Sequence, residues 1–439
     1  MKKNNDKVLS ICFLTEYWER YGFYITQGLI ALLIIHVFNF TERNSFLLTG
    51  TFVGLVYTSS IIGGIIADKF IGHFRSILLG EFILILGYFI LGYGISTISQ
   101  PFLYLSLALI ATGTGLVKSN VSSFLGCFYE IDNPKRDLDF SIFYVGINLG
   151  GLTGGFLTGY LNEFFGWSIP FYSAAIGSCI GLVTMWYKTK RHKLDFEKQN
   201  KDYTRFLNIT ISIFISLLTT LFCMYILYSP NASDTLFILI TIICIVLLMT
   251  TARKYPNHKK SCTAYLILLF ISIIFWALFF QLFTSFVILT EKLVNHHVFG
   301  FNIPTASIVT MESLGVVLLG GIVGKIWHIM TLKGKDVHDA NKFAIAMLIM
   351  TIAFAVFSLI LSTHNPAFLI SGYLIMFIYF NVALAELSLS PIGLSISNKL
   401  APPNSRGLFM GLWLISLGIG GKLSGELAIF ATIPTHITR

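Results

Sequence analysis

The chain has 439 residues, 55% of them hydrophobic and only 12% charged, with a net charge of +9 and a mean hydropathy of +0.77. A soluble domain carries about 25% charged residues, so a soluble enzyme is excluded and a polytopic membrane protein is implied. The positive balance does not point to nucleic acid, because the basic residues fall in alternate loops, the positive-inside pattern.

Apolar stretches of about 20 residues recur along the chain. They predict spans near 8–37, 46–70, 75–96, 101–127, 140–163, 168–187, 205–228, 234–252, 262–291, 304–329, 342–362, 367–398 and 407–432. The apolar stretch after the basic residues 1–7 is too long for a signal peptide and lacks a small-residue cleavage site, so it is read as a retained span. With the N-terminus inside, the inner loops hold Lys69/Arg75, Lys135/Arg136, Lys188 to Lys193, Arg253 to Lys260, Lys333/Lys335 and Lys399/Arg406, while the outer loops hold little beyond Arg43 and Lys292. The six cysteines lie in or beside apolar runs and none falls in an outer loop, so no disulfide is expected.

The first span carries Glu16-Tyr17-Trp18-Glu19-Arg20. An ionisable side chain near mid-bilayer costs roughly 2.5–3.5 kcal/mol on translocon scales. Positions 16, 19 and 20 share one helical face, so Arg20 can pair with either carboxylate. Charges on one face at that depth point to a polar cavity; the alternative is a self-neutralised trio that only locks helices together.

Further along, span 2 ends Gly63-Gly64-Ile65-Ile66-Ala67-Asp68-Lys69, with His73 and Arg75 following, which suits a charge network at a cytoplasmic turn. This turn resembles that of the major facilitator superfamily, and Asp68 reads as part of a structural hinge. Span 4 carries Lys118, which at its depth needs an anion or a carboxylate. Span 5 carries Asn148 among glycines that permit close packing. In the second half, with 205–228 and 234–252 left out of the numbering, span 7 (262–291) carries Trp276 and Gln281 and approaches the outer face at Glu291. Span 8 carries Glu312, which helical rise places about 12 Å below Pro304. Span 10 carries Glu386 ahead of Pro391, and the last span carries Lys422 and Glu426 at i, i+4, able to neutralise each other.

Together these motifs carry a specific resemblance. Glu16-x-x-Glu19-Arg20-x-x-x-Tyr24 is similar to the ExxERFxYY motif of the proton-dependent oligopeptide transporters. The Ala67-Asp68-Lys69 turn, Lys118-Ser119-Asn120, Phe143-Tyr144-x-x-Ile147-Asn148-x-Gly150 and Glu386-Leu387-x-x-Ser390-Pro391-x-Gly393 look like that family's other signatures, in the family's order, and the likeness runs from about residue 10 to 430. The resemblance implies that Glu16, Glu19 and Arg20 carry proton coupling and that Lys118 binds or gates the peptide carboxylate. Asn148 and Glu386 would hold the peptide amino group, with Gln281 and Glu312 also in the substrate site. Tyr24, Tyr57 and Trp413 would line side-chain pockets. Gln27, Asp68 and Glu291 would be gating or structural residues.

Three places depart from the family pattern. Gln27 stands where the family usually has a second arginine, Phe280 where a glutamate often precedes Gln281, and Glu312-Ser313 where asparagine and proline are typical. A fourth departure is of length: five spans are expected from 262 to 432 instead of six.

The expected fold is thus an all-α polytopic membrane protein of the major facilitator superfamily. It comprises an N-terminal six-helix bundle (1–188), a cytoplasmic linker (189–204), two extra peripheral helices (205–254) and a C-terminal bundle (255–439) lacking its last helix. The expected function is proton-coupled import of di- and tripeptides by alternating access, in a bacterial inner membrane with the N-terminus cytoplasmic. No cofactor other than the coupling proton is expected, and no partner beyond peptide and lipid bilayer. The competing readings are the same fold with a cationic peptide, an amine or another small solute as substrate, or a truncated non-transporting or receptor-like remnant. An intramembrane enzyme is disfavoured because no HExxH or GxSxG motif is present.

Overall fold

The computed structural model describes residues 2–129, 134–192, 194, 205–333, 337–363 and 368–432. Most of the expected linker 189–204, Lys335 and the terminal Thr438 and Arg439 lie outside the described residues. The chain folds into long helices: α1 (Lys2–His36), α2 (Glu42–Ile66), α3 (Gly72–Ser96), α4 (Gln100–Gly126), α5 (Pro134–Phe165), α6 (Ile169–Arg191), α7 (Phe206–Tyr228), α8 (Pro230–Lys254) and α9 (Lys259–Phe279). A short α10 (Ser285–Leu293) and a single turn α11 (Thr305–Ile308) precede α12 (Met311–Leu332), α13 (Asp339–Thr363), α14 (Gly372–Leu400) and α15 (Arg406–Ala428). Among the described residues, eleven continuous helical runs are long and apolar enough to cross a membrane; one of them, Glu42–Ser96, contains both α2 and α3. With α1, whose charges dilute its hydropathy, helix fills every predicted span, although 262–291 and 304–329 are each broken into two pieces. The only strands among the described residues are two-residue pairings: β1 (Val294–Asn295) with β4 (Ile370–Ser371), and β2 (His297–Val298) with β3 (Phe301–Asn302).

The chain forms two compact units. The first comprises Met1–Phe40 and Leu55–Pro230. In it, Gly146, Gly150 and Gly154 make a stripe along α5, spaced by four residues. A Cβ at each would run into Phe13, Tyr17 or Tyr21 of α1, so only glycine lets α1 lie this close. Tyr17 also bonds Thr153 across the seam, at 2.9 Å. This contact fixes the rotation of α1, and with it the face that carries Glu16, Glu19 and Arg20. α3 packs on α4 and α6, and α7 packs on α4.

Between α2 and α3 the chain makes a π-helical turn, Ala67–Ile71, that ends at Gly72 with φ of +76°. That backbone conformation favours glycine. The turn is tied to α4 by side chains: His73 Nδ1 lies 2.8 Å from Asn120 Oδ1. Asn120 Nδ2 faces Gly63 O at 3.1 Å, Ser76 Oγ at 3.0 Å and Leu116 O at 2.8 Å. Asp68 is exposed and 3.9 Å from His73 Nε2, a hinge-like position. Asn120 is thus the hub that joins α2, α3 and α4. Asn120→Leu keeps the volume but removes these bonds. It is expected to cost about 1–2 kcal/mol, seen as a lowered thermal midpoint in detergent; an unchanged midpoint would show that the hub does not stabilise the unit.

The second unit comprises Thr41–Gly54 and Asn231–Arg439. Span 7 is not one continuous helix. α9 passes into a 3-10 turn at Phe280–Phe283, and Thr284 (φ −117°, ψ −93°) separates it from α10. Local side-chain bonds compete with the helical ladder here: Thr284 Oγ1 donates to Phe280 O at 3.2 Å and Ser285 Oγ to Gln281 Oε1 at 2.5 Å. α8 is not held by apolar contact alone. Buried Lys422 of α15 lies 2.8 Å from Asp234 of α8 as well as 2.6 Å from Glu426, and Thr51 bonds Ser233 at 3.0 Å. The expected i, i+4 neutralisation of Lys422 is therefore shared with a helix that sequence reading treats as peripheral.

Candidate functional site

In the first unit, Glu16, Glu19 and Arg20 are all buried, at 3%, 0% and 4% exposure. Arg20 Nε bonds Glu19 and lies 3.4 Å from Glu16 Oε1. Its guanidinium stacks 4.8 Å from the centre of the Phe23 ring. The helical spacing that places the three on one face thus also brings them into one ion cluster. The cluster is not fully satisfied: Glu16 Oε2, Glu19 Oε1 and Arg20 Nη2 are buried without hydrogen-bond partners.

Lys118 belongs to the same unit and interacts electrostatically with Arg20, Glu19 and Glu16. Its Nζ sits 3.7 Å from the centre of the Tyr57 ring, a cation–π contact. Two of the expected site residues, Lys118 and Tyr57, therefore meet directly. Tyr24 packs its ring against Gly151, where an added Cβ would stand 3.0 Å from it. Asn148 Nδ2 donates to Tyr144 O one turn back on its own helix, at 2.9 Å. Gln27 is 3% exposed in α1.

In the second unit, Glu312 is 2% exposed and its carboxyl group lies next to that of Glu386, so that the two act on each other. Ser313 Oγ donates to Glu312 Oε2 at 3.0 Å. Two neighbouring buried carboxylates repel each other, and a proton held between them removes that repulsion. Gly315 makes the pair possible: it lets α12 approach α14, where its Cβ would stand 2.8 Å from Ala383. The depth expected for Glu312 needs correction. The helix that begins at Thr305 ends at Ile308, and a new one starts at Met311. The β-branched run Ile308-Val309-Thr310 disfavours helix there. Glu312 therefore sits in the first turn of α12, and continuous rise from Pro304 does not measure its position.

The remaining residues of this unit have packed or bonded surroundings. Gln281 donates to Ser424 O at 2.8 Å. Trp413, 2% exposed, lies where a Cβ at Gly393 would collide with its ring, and meets Phe343 edge-on at 6.1 Å. This explains the glycine of the Glu386…Gly393 motif as a seat for Trp413. Glu291 is half-buried near the end of α10, and its neighbour Lys292 bonds Glu42.

One residue escaped the sequence reading. Glu81 of α3 is fully buried, and neither carboxyl oxygen has a hydrogen-bond partner. The signal was present: a lone carboxylate in the apolar stretch 76–98 is as costly as those in span 1.

A family model described as PTR2, POT family, matches residues 74–438. The dipeptide and tripeptide permease B of Salmonella typhimurium is 26% identical over 428 residues, covering 97% of this chain and 87% of the permease. The dipeptide and tripeptide permease A of Edwardsiella piscicida is 28% identical, covering 97% of this chain and 86% of the permease. A crystal structure of a peptide transporter POT in complex with sulfate superposes with a TM-score of 0.82 at 26% identity, over 98% of this chain and 90% of that one. A POT family transporter solved with 5-aminolevulinic acid shares the fold, with a TM-score of 0.83 at 23% identity over 96% of this chain and 90% of that one. The family model takes in most of the chain, including the Lys118, Asn148 and Glu386 motifs, and on that match the chain belongs to the POT family.

Proposed function

We propose that this protein is a proton-coupled symporter that imports di- and tripeptides by alternating access, in a bacterial inner membrane with its N-terminus cytoplasmic. The observation that carries the reading is the buried Glu16–Arg20–Glu19 cluster with Lys118 beside it. Protons are the coupling ion and no other cofactor is involved. A site that binds a zwitterion needs a cation and an anion; Lys118 serves the peptide carboxylate, and Asn148 and Glu386 the amino group. The permease names of the relatives support peptide as the substrate class. The test is uptake of labelled dialanine into proteoliposomes under an inward proton gradient. Accumulation that collapses with a protonophore is expected; no uptake of any di- or tripeptide would overturn the proposal.

Within this reading, Lys118→Gln is expected to lose about 2–5 kcal/mol of peptide binding, as for removal of one partner of a buried charge pair. That is at least about thirtyfold in affinity, measured by competition with labelled dialanine. Equal affinity in the variant would remove Lys118 from the site. A second reading, a preference for peptides with an added positive charge, is favoured by the Glu312–Glu386 pair.

A further inference from the structure

Glu81 lies in the first unit, on a face of α3 turned to other helices. A Cβ added at Gly181 of α6 would stand 3.1 Å from its Oε1, so the carboxyl head rests against the α6 backbone. Ser178, three residues back on α6, is buried with its hydroxyl unpaired. α1 touches α3 two turns further along, where a Cβ at Gly22 would meet the Tyr88 ring at 2.9 Å. Seven residues back from each contact are Glu81 on α3 and Thr15 on α1, level with one another for helices that cross the membrane in the same direction. Thr15 is also buried with an unpaired hydroxyl. Thr15, Glu16, Glu19, Arg20, Glu81 and Ser178 are thus all buried side chains of this unit, each with a polar atom left unsatisfied. The charged groups acting on Glu81 are Glu19, Glu16 and Arg20 of α1. Around Gly80, α4 offers the apolar Leu116 and Val117; α6 offers Gly181 and Ser178.

We infer that Glu81 is a proton-holding site, exchanging one proton with the Glu16–Glu19–Arg20 cluster during the transport cycle. The inference rests on the symporter reading for the cycle, but not for the proton itself. A buried carboxylate without a counter-charge or hydrogen bond is heavily penalised, whereas the neutral acid is tolerated. Arg20 is already taken by Glu19 and Glu16. With both of those ionised and Glu81 protonated, the four residues carry a net charge of −1. When Glu16 or Glu19 accepts a proton, the same charge is kept if Glu81 releases one. Only an O–H bond breaks at one carboxyl and forms at another. The cluster and Glu81 therefore hold the proton in alternation, and Arg20, left with one anionic partner fewer, stabilises the newly ionised Glu81 through space.

Glu81→Gln tests this, because glutamine copies the neutral acid in shape but cannot release a proton. Proton-driven uptake of dialanine is expected to fall at least about tenfold, with its pH dependence flattened and counterflow exchange within about twofold of the parent. A residue that only fills space would leave uptake and pH profile unchanged in Glu81→Gln, and that result overturns the inference. Infrared spectroscopy gives a readout that does not depend on the substrate. The parent protein should show a protonated-carboxyl C=O band at neutral pH that Glu81→Gln lacks. If glutamine prevents assembly, Glu81→Asp should shift that band. A spectrum with no such band, or a band unmoved in both variants, also overturns the inference. Should the parent transport no peptide, the symporter reading fails and the infrared result still decides on Glu81.

Discussion

Replacing Glu19 by glutamine is expected to lower dialanine accumulation under a proton gradient at least about tenfold, while exchange of labelled for unlabelled dialanine across the same membrane persists. Accumulation needs a group that binds and releases the coupling proton in each cycle, whereas exchange needs only that the loaded protein reorients. Glu19 is fully buried and bonded to Arg20, so its carboxylate is held by one cation and has no contact with water. A proton or a substrate carboxylate that competes for Arg20 changes that balance directly. Glutamine keeps the volume and one hydrogen-bonding oxygen, but leaves Arg20 with Glu16 at 3.4 Å as its remaining carboxylate partner. Arg20→Lys should share the phenotype, because an ammonium reproduces neither the Nε–H that faces both carboxylates nor the planar group lying over Phe23. Paired uptake and counterflow measurements on one preparation check both variants. Wild-type accumulation in Glu19→Gln would remove Glu19 from the coupling path.

The cluster was legible because its spacing alone determines its geometry: residues three and four apart on a helix must share a face. The glycines of α5 were legible as permission for close packing, but not the identity of the helix they admit, since nothing local encodes that Gly150 meets Tyr17. Breaks in spans 7 and 8 were hidden for a related reason. Neither Thr284 nor the run from Ile308 to Thr310 includes a glycine or proline, and the breaks arise from side-chain bonds and β-branching that hydropathy does not register. Asp234 reads as an ordinary helix-end residue until Lys422 is found 2.8 Å away. Glu81 differs from these. Its cost of burial was visible in the sequence, but no partner at i, i+3 or i+4 marked it, because the groups that act on it come from another helix.

Replacing Glu312 by asparagine is expected to lower uptake of lysine-containing dipeptides about tenfold relative to dialanine, and to alter the pH profile. The Glu312 and Glu386 carboxyl groups lie next to each other. A proton on one of the two removes their mutual repulsion and lets them share a hydrogen bond. Lys422 is bound instead to Asp234 and Glu426, so it does not serve as the counter-charge for Glu312. A cationic group that reaches the pair gains a second carboxylate when that proton leaves. A hydrogen bond to a charged group contributes about 1.5–3 kcal/mol, which is roughly a tenfold or greater preference for the basic substrate. Asparagine removes the second titratable group and leaves Glu386 without a carboxyl partner, so both the charge preference and the proton linked to it should disappear together. The measurement is initial uptake of dialanine and of an alanine–lysine dipeptide by both proteins across a pH series. A purely structural Glu312 gives equal loss for the two substrates and an unmoved pH profile. In that case the pair only joins α12 to α14, and the substrate preference must be set elsewhere.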